Sequence, residues 1–83
     1  MRALLTERFA RAYADAPPEV QKAFGKQLAY LLRDLRHRSL DAHKFPESGD
    51  PDLWQARVTQ DWRFYFTIEA DTYVLDSIRS HPK

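Results

Sequence analysis

The C-terminal part of the chain alternates between apolar and polar residues with a period of two. Three runs rich in aromatic and β-branched residues occupy the stretch from Leu53 to His81, and polar breaks separate them. The middle run shows the alternation through its apolar positions, Trp62, Phe64, Phe66 and Ile68. Successive side chains of a strand point to opposite faces, so the pattern predicts an antiparallel meander with one apolar face and one open polar face.

The N-terminal half has a helical period instead. Its apolar residues recur at intervals of three or four, at Val20, Phe24, Leu28, Leu31 and Leu35. This spacing predicts an amphipathic helix, and Phe9 and Tyr13 indicate a shorter helix before it, with Thr6 as the N-cap. The pair Pro17-Pro18 ends the first helix and opens the second, because a proline restricts the residue before it and is accepted in a first turn.

These elements predict an α+β fold in one domain over residues 1–83, with an N-terminal helical hairpin packed on a twisted antiparallel sheet of three to four strands. Ala3–Leu5 is a candidate for a short first strand. Gly25, inside the second helix, is expected to mark a close crossing with the first helix. A turn of two or three residues follows Glu69, and its length leaves open which face of the last strand meets the core.

Composition excludes several classes of protein. There is no cysteine, which rules out a disulfide framework and a thiolate metal site. No apolar run approaches the roughly 18 residues needed to span a bilayer, and the N-terminus lacks the layout of a signal peptide. Neither a glycine-rich phosphate loop nor a metal-ligand spacing is present. We therefore expect a cytoplasmic domain that needs no metal, no cofactor and no membrane.

The net charge of +1 conceals an uneven distribution of charged residues. Residues 2–38 contain eight Lys and Arg against four acids, whereas residues 41–52 contain one Lys against four acids. An anionic partner would therefore meet local basic patches and not a uniformly basic surface.

The predicted open face carries Arg57 and Arg63, with Tyr65 beside them. Arginine forks bind phosphate in a bidentate manner, aromatic rings stack on unpaired bases, and a histidine moves protons near neutral pH. Cleavage of an RNA phosphodiester uses positive charge and proton transfer of this kind. Taken one at a time, Arg57 and Arg63 are equally explained as a solvated sheet face with cross-strand ion pairs, whereas Tyr65 and Trp62 are better explained by packing and the histidines as surface residues.

Several short motifs follow one another in an order that resembles the RelE/ParE superfamily of toxins from toxin–antitoxin systems over nearly the whole chain. They are the segment Pro17–Phe24, Ser39-Leu40, Leu53–Val58, Asp61–Tyr65 and Ser77–His81. The Asp61-Trp62 pair and the closing Ser80-His81 are similar to the YafQ-type branch. Members of that branch are ribosome-dependent endoribonucleases, so the resemblance implies an enzyme that cuts mRNA in the ribosomal A site and is neutralised by an antitoxin.

The resemblance also implies site residues. His81 matches the C-terminal histidine that transfers a proton in YafQ-like toxins, and Arg63 matches the arginine that contacts the scissile phosphate. Asp61 and His43 are the other candidate catalytic groups. The candidate RNA-binding residues are Arg57, Lys44, Trp62, Tyr65 and Arg79. The implied partners are an antitoxin protein, the ribosome and mRNA.

The superfamily also contains gyrase poisons of the ParE type, which have no nuclease site. The alternative function is therefore a non-catalytic gyrase inhibitor, or a decayed toxin that acts only by binding its antitoxin. Family chains usually carry an aromatic residue a few positions after the histidine, whereas this sequence has Pro82 and Lys83 there. That departure favours the alternative, and the matches at Asp61, Trp62 and His81 favour the nuclease.

Overall fold

The structure is a computed structural model that describes residues 1–81. Its helices are α1 (Glu7–Asp15) and α2 (Pro18–Arg33). Its strands are β1 (Arg2–Leu5), β2 (His43–Lys44), β3 (Trp54–Thr59), β4 (Trp62–Glu69) and β5 (Thr72–Ser80). Among these residues, neither helix is long and apolar enough to cross a membrane. Pro82 and Lys83 lie outside the described residues.

The strands form one sheet in the order β1-β5-β4-β3-β2. The α+β class and the antiparallel meander of β3, β4 and β5 are confirmed. The described part of the chain has five strands, not three to four, and the sheet is mixed because β1 runs parallel to β5. The two partners lie at opposite ends of the chain, and a local pattern carries no information on the direction in which such distant segments pair.

The helical hairpin forms where the sequence predicts it. Thr6 caps α1, since its hydroxyl oxygen accepts a hydrogen bond from the N–H of Phe9 at 3.1 Å. The hairpin covers the apolar face of the sheet, where the ring of Phe24 lies 5.1 Å from that of Phe9 and 5.2 Å from that of Phe64. Tyr73 belongs to the same core, and burial, with the charge of Asp34 adding to it, raises the pKa of its phenol. The core therefore joins both helices to the middle of the sheet.

A bulge in β5 decides which residues reach the open face. Tyr65 on β4 lies opposite Ser77, but the next residue, Phe66, lies opposite Leu75, so Asp76 is an extra residue in β5. Strict alternation from Leu75 would send Ser77 and the odd-numbered residues after it to the core. With the extra residue, Leu75 and Ile78 both face the core, and Ser77 and Arg79 face the open side of the sheet. The turn after Glu69 has two residues, since Glu69 lies opposite Thr72, and this turn sends Tyr73 and Leu75 to the core; the bulge then reverses the alternation for the residues after Asp76.

Three details of α2 differ from the sequence prediction. Gly25 does not mark a helix crossing, because a Cβ added there would meet no atom within 4 Å. The helix ends at Arg33, so Leu35, the last residue of the predicted stripe, lies beyond it. Gln27 adds a polar residue to the buried face: it is 3% exposed and lies between Phe24 and Leu31. It is accommodated there because its side-chain amide donates to the carbonyls of Ser39 and Arg57.

Replacement of Gly25 by alanine is expected to raise the free energy of unfolding by about 0.5–1 kcal/mol, because glycine loses more backbone freedom in a helix. Urea unfolding followed by circular dichroism measures the change. Gly49→Ala is the matched control: Gly49 has a φ of 86°, so alanine there is expected to lower stability. Lower stability of Gly25→Ala would contradict the exposed placement of Gly25.

Candidate functional site: an arginine row on the open face

Three arginines lie side by side across the middle of the open face. Arg57 on β3 is directly opposite Arg63 on β4, and Arg63 is directly opposite Arg79 on β5. We call these three residues the arginine row. Neighbouring strands are about 4.8 Å apart, so the row spans about 10 Å. Like charges at directly opposite positions destabilise a sheet, so sheet stability does not account for this arrangement, and guanidinium groups are well suited to binding an anion.

Arg63, the central member, is fixed by the turn that joins β3 to β4. Its Nη1 nitrogen donates to the carbonyl oxygens of Thr59 at 2.6 Å, Trp62 at 3.0 Å and Gln60 at 3.2 Å. Within the part of the chain that the structure describes, these bonds leave the N–H groups on Nε and Nη2 for a ligand. An open cleft of about 380 Å³, lined by Arg57, Gln60 and Arg63, lies next to this fork.

Arg79 is held by an aromatic ring instead. Its guanidinium carbon lies 4.2 Å from the ring centroid of Tyr65, a cation–π contact. Phe45 packs against the same ring at 5.3 Å, and the side-chain amide of Gln55 donates to the Tyr65 hydroxyl at 3.1 Å. Tyr65 is only 4% exposed as a result. Its ring supports Arg79 and is not open to a stacking base.

Arg57 is tied to the helical hairpin through its backbone. Its N–H donates to the carbonyl of Leu40 at 2.7 Å, and its carbonyl accepts from the buried amide of Gln27 at 2.9 Å. The same amide nitrogen donates to the carbonyl of Ser39 at 3.0 Å, and the Ser39 hydroxyl donates to the Gln27 oxygen at 2.8 Å. Sequence analysis missed Gln27, although its position three residues after Phe24 on the apolar stripe marks it as a buried polar residue.

The C-terminal histidine lies at one end of the arginine row. The backbone N–H of His81 donates to the carbonyl of Asp61, in the β3–β4 turn, and the two atoms are 2.6 Å apart. Because His81 follows Arg79 by two residues, it lies on the same face, diagonal to Arg63 at about 7–8 Å between Cα atoms. The structure therefore brings together four of the predicted residues: His81, Asp61, Arg63 and Arg79.

His43 is on the same face but at the other end. It lies opposite Gln55 on the edge strand β2, and its Nδ1 is 2.9 Å from the carbonyl oxygen of Asp41, to which it donates. Three strand spacings, about 14 Å, separate β2 from the strand that leads to His81. The two histidines therefore flank the row and do not meet at one point.

Lys44 and Trp62 do not join the arginine row. The ammonium of Lys44 donates to the carbonyl of Pro51 at 3.2 Å and lies 5.6 Å from the ring centroid of Trp54, on the core side of β3. Trp62 is partly buried and packs against the core. The reason is strand alternation: each residue precedes or follows an open-face residue by one position. Contacts of these two residues with RNA stay a prediction.

No group of three or more His, Asp or Glu side chains is placed to hold a metal ion among residues 1–81. The site offers positive charges and groups that can donate protons. Three guanidinium groups can bind adjacent phosphate oxygens, and an imidazole side chain can transfer protons.

Comparisons with known proteins identify the fold. No family profile and no curated protein matches the sequence. Among solved structures, the YoeB dimer from Staphylococcus aureus is similar, with a TM-score of 0.79, 13% identity, and coverage of 99% of this chain and 98% of that chain. YafQ from E. coli strain BL21(DE3) has a TM-score of 0.77 and 11% identity, with 94% and 90% covered. The archaeal RelE–RelB complex from Pyrococcus horikoshii OT3 has a TM-score of 0.76 and 17% identity, with 99% and 96% covered.

Identities this low show the fold alone. The chain therefore has the fold of the RelE, YoeB and YafQ toxins, as the sequence resemblance predicts. Function follows from the site and not from the fold.

Gln27→Ala is expected to lower the free energy of unfolding by about 2–3 kcal/mol, because it leaves the buried carbonyls of Ser39 and Arg57 without their donor. Urea unfolding measures the loss. Gln21→Ala is the matched control on the same helix: Gln21 is partly exposed and donates only to the carbonyl of Tyr13 at 2.8 Å, so a loss of about 1 kcal/mol is expected. Equal losses in the two variants would contradict the anchoring role of Gln27.

Proposed function

We propose that this protein is the toxin of a toxin–antitoxin system and that it cuts mRNA in the ribosomal A site. The observation that carries the proposal is the arginine row, a costly line of like charges, with His81 at its end. The structural neighbours add support, because proteins described as RelE, YoeB and YafQ share the fold over nearly the whole chain. In this proposal the RNA backbone lies across the open face, with its phosphates on the arginine row.

Cleavage proceeds in this proposal by attack of the ribose 2′-oxygen on the neighbouring phosphorus. The bond between phosphorus and the 5′-oxygen breaks, which leaves a cyclic phosphate and a free 5′-hydroxyl. The route draws its nucleophile from the substrate, so the protein supplies charge stabilisation and proton transfer. Arg63 and Arg79 bind the oxygens on which negative charge develops, and Arg57 binds the adjacent phosphate.

Proton transfer is assigned to the end of the row where His81 lies. Its protonated imidazole gives a proton to the departing 5′-oxygen, and the carboxylate of Asp61 accepts the proton of the attacking 2′-hydroxyl. His43 lies three strand spacings, about 14 Å, from the strand that leads to His81 and is also offset along the sheet by four residues, so we place it on the flanking RNA and not on the reacting phosphate. Tyr65 acts through Arg79, whose guanidinium it supports.

The proposed partners follow from the same function. The RelE–RelB complex is one structural neighbour, and a YoeB–YefM complex from Staphylococcus aureus is another. We infer that a cognate antitoxin binds this chain and neutralises it. The ribosome and its mRNA are the proposed targets, which places the activity in the cytoplasm.

Primer extension on an mRNA translated in a purified system tests the nuclease. Wild-type protein is expected to produce cuts between codon positions only when ribosomes are present. His81→Ala is expected to slow cleavage by about 10²–10⁴-fold through loss of the acid. Arg63→Ala is expected to slow it by about 10²–10³-fold through loss of charge stabilisation. Arg11→Ala, an exposed arginine of α1, is the matched control and is expected to keep full activity.

Two results would contradict the proposal. Cleavage that survives both His81→Ala and Arg63→Ala would remove the site assignment. Translation at full rate with no cuts by the wild-type protein would remove the nuclease itself, and a supercoiling assay with purified gyrase would then test the ParE-type alternative.

A further inference from the structure

An acid stands at the end of the arginine row opposite to His81. His43 on β2 lies opposite Gln55, so continuing that register by two residues puts Asp41 opposite Arg57. The side chains meet: Asp41 Oδ2 lies 3.5 Å from Arg57 Nη2. Both are partly open to solvent, with 61% of the Asp41 side chain and 44% of the Arg57 side chain exposed. One carboxylate therefore lies beside the three guanidinium groups, at the Arg57 end of the arginine row.

The position of this carboxylate is set by the backbone around it. Asp41 has a φ of 46°, a left-handed conformation that few residues other than glycine, asparagine and aspartate adopt readily. The carbonyl of the preceding Leu40 accepts from the N–H of Arg57 at 2.7 Å, and the carbonyl of Asp41 itself accepts from His43 Nδ1 at 2.9 Å. The contact between Asp41 and Arg57 is thus built into the fold of this segment.

We infer that Asp41 is an internal competitor that occupies Arg57 in the free protein and sets the affinity of the arginine row for RNA phosphate. The inference rests on the proposed use of the row as a phosphate site. A carboxylate and a phosphate both bind a guanidinium group, so RNA must displace the carboxylate of Asp41 before its phosphate can bind Arg57. In the free protein the same carboxylate offsets the repulsion between Arg57 and Arg63. Because the ion pair is exposed, its displacement costs little and the site stays available.

Binding of a short fluorescein-labelled single-stranded RNA, measured by anisotropy at low salt without ribosomes, tests the inference. Asp41→Asn removes the charge and keeps a residue that tolerates the left-handed backbone. It is expected to tighten binding about two- to fivefold, the range for loss of one exposed ion pair. Asp71→Asn is the matched control, because Asp71 pairs with Arg2 at 3.6 Å at the other end of β4. It makes the same charge change and is expected to leave the affinity nearly unchanged.

The double variant identifies the group on which Asp41 acts. Arg57→Gln is expected to weaken binding, and addition of Asp41→Asn to Arg57→Gln is expected to give no further gain. Equal effects of Asp41→Asn and Asp71→Asn, a gain that persists without Arg57, or no RNA binding by any of the proteins would each overturn the inference. Urea unfolding of every variant confirms that the compared proteins are folded.

The same measurements separate this inference from the proposed nuclease. If Asp41→Asn raises RNA affinity only when Arg57 is present, and the protein cuts no mRNA on ribosomes, the result would support the role of Asp41 as a competitor and contradict the proposed nuclease activity. Ribosome-dependent cleavage with no effect of Asp41→Asn on RNA affinity would support the nuclease and contradict the role of Asp41.

Discussion

The extra residue in β5 is the constraint on which the rest of the structure depends. Asp76 interrupts the alternation of the strand, so Leu75 and Ile78 both fill the core. The bulge is held from the far end of the chain: the Thr6 hydroxyl donates to the carbonyl of Leu75 at 2.8 Å and, more weakly, to that of Asp76 at 3.3 Å. One residue thus caps α1 and fixes the register by which Arg79 reaches the open face.

The arginine row shows how a sheet accommodates an unfavourable line of charge. Each guanidinium has a different support: backbone carbonyls for Arg63, the face of Tyr65 for Arg79, and the carboxylate of Asp41 for Arg57. These contacts fix the positions of the charges without burying them, so the guanidinium groups stay preorganised and accessible to solvent. A surface that departs from the rules of sheet stability while keeping such supports is typical of a binding site.

The helical hairpin does more than cover the apolar face. Gln27 reaches from α2 to the backbone of Arg57 and to the segment that begins at Ser39. A polar side chain at 3% exposure is tolerated because its oxygen and its nitrogen both have partners. Packing of the hairpin and placement of one end of the arginine row are therefore coupled, since neither can shift without breaking the same hydrogen bonds.

Local patterns along the chain predicted most of the elements and several of their ends. The period of two predicted the meander, the stripe predicted α2, Pro17-Pro18 separated the helices, and Thr6 was identified as a cap. The sequence also named His81, Arg63 and Arg57 as candidates, through their residue types and their place in a familiar order of motifs. These features depend on neighbours along the chain, which is why a linear pattern contains them.

The arrangement of those candidates in space depends on tertiary contacts. A period of two fixes the alternation but not the register, and the bulge at Asp76 changes the register through contacts with the opposite end of the chain. The parallel pairing of β1, the burial of Tyr65 under Phe45 and the placement of Asp41 beside Arg57 have the same origin. Each depends on contacts between segments distant in sequence, and the energies of such contacts do not appear in any local pattern of residues.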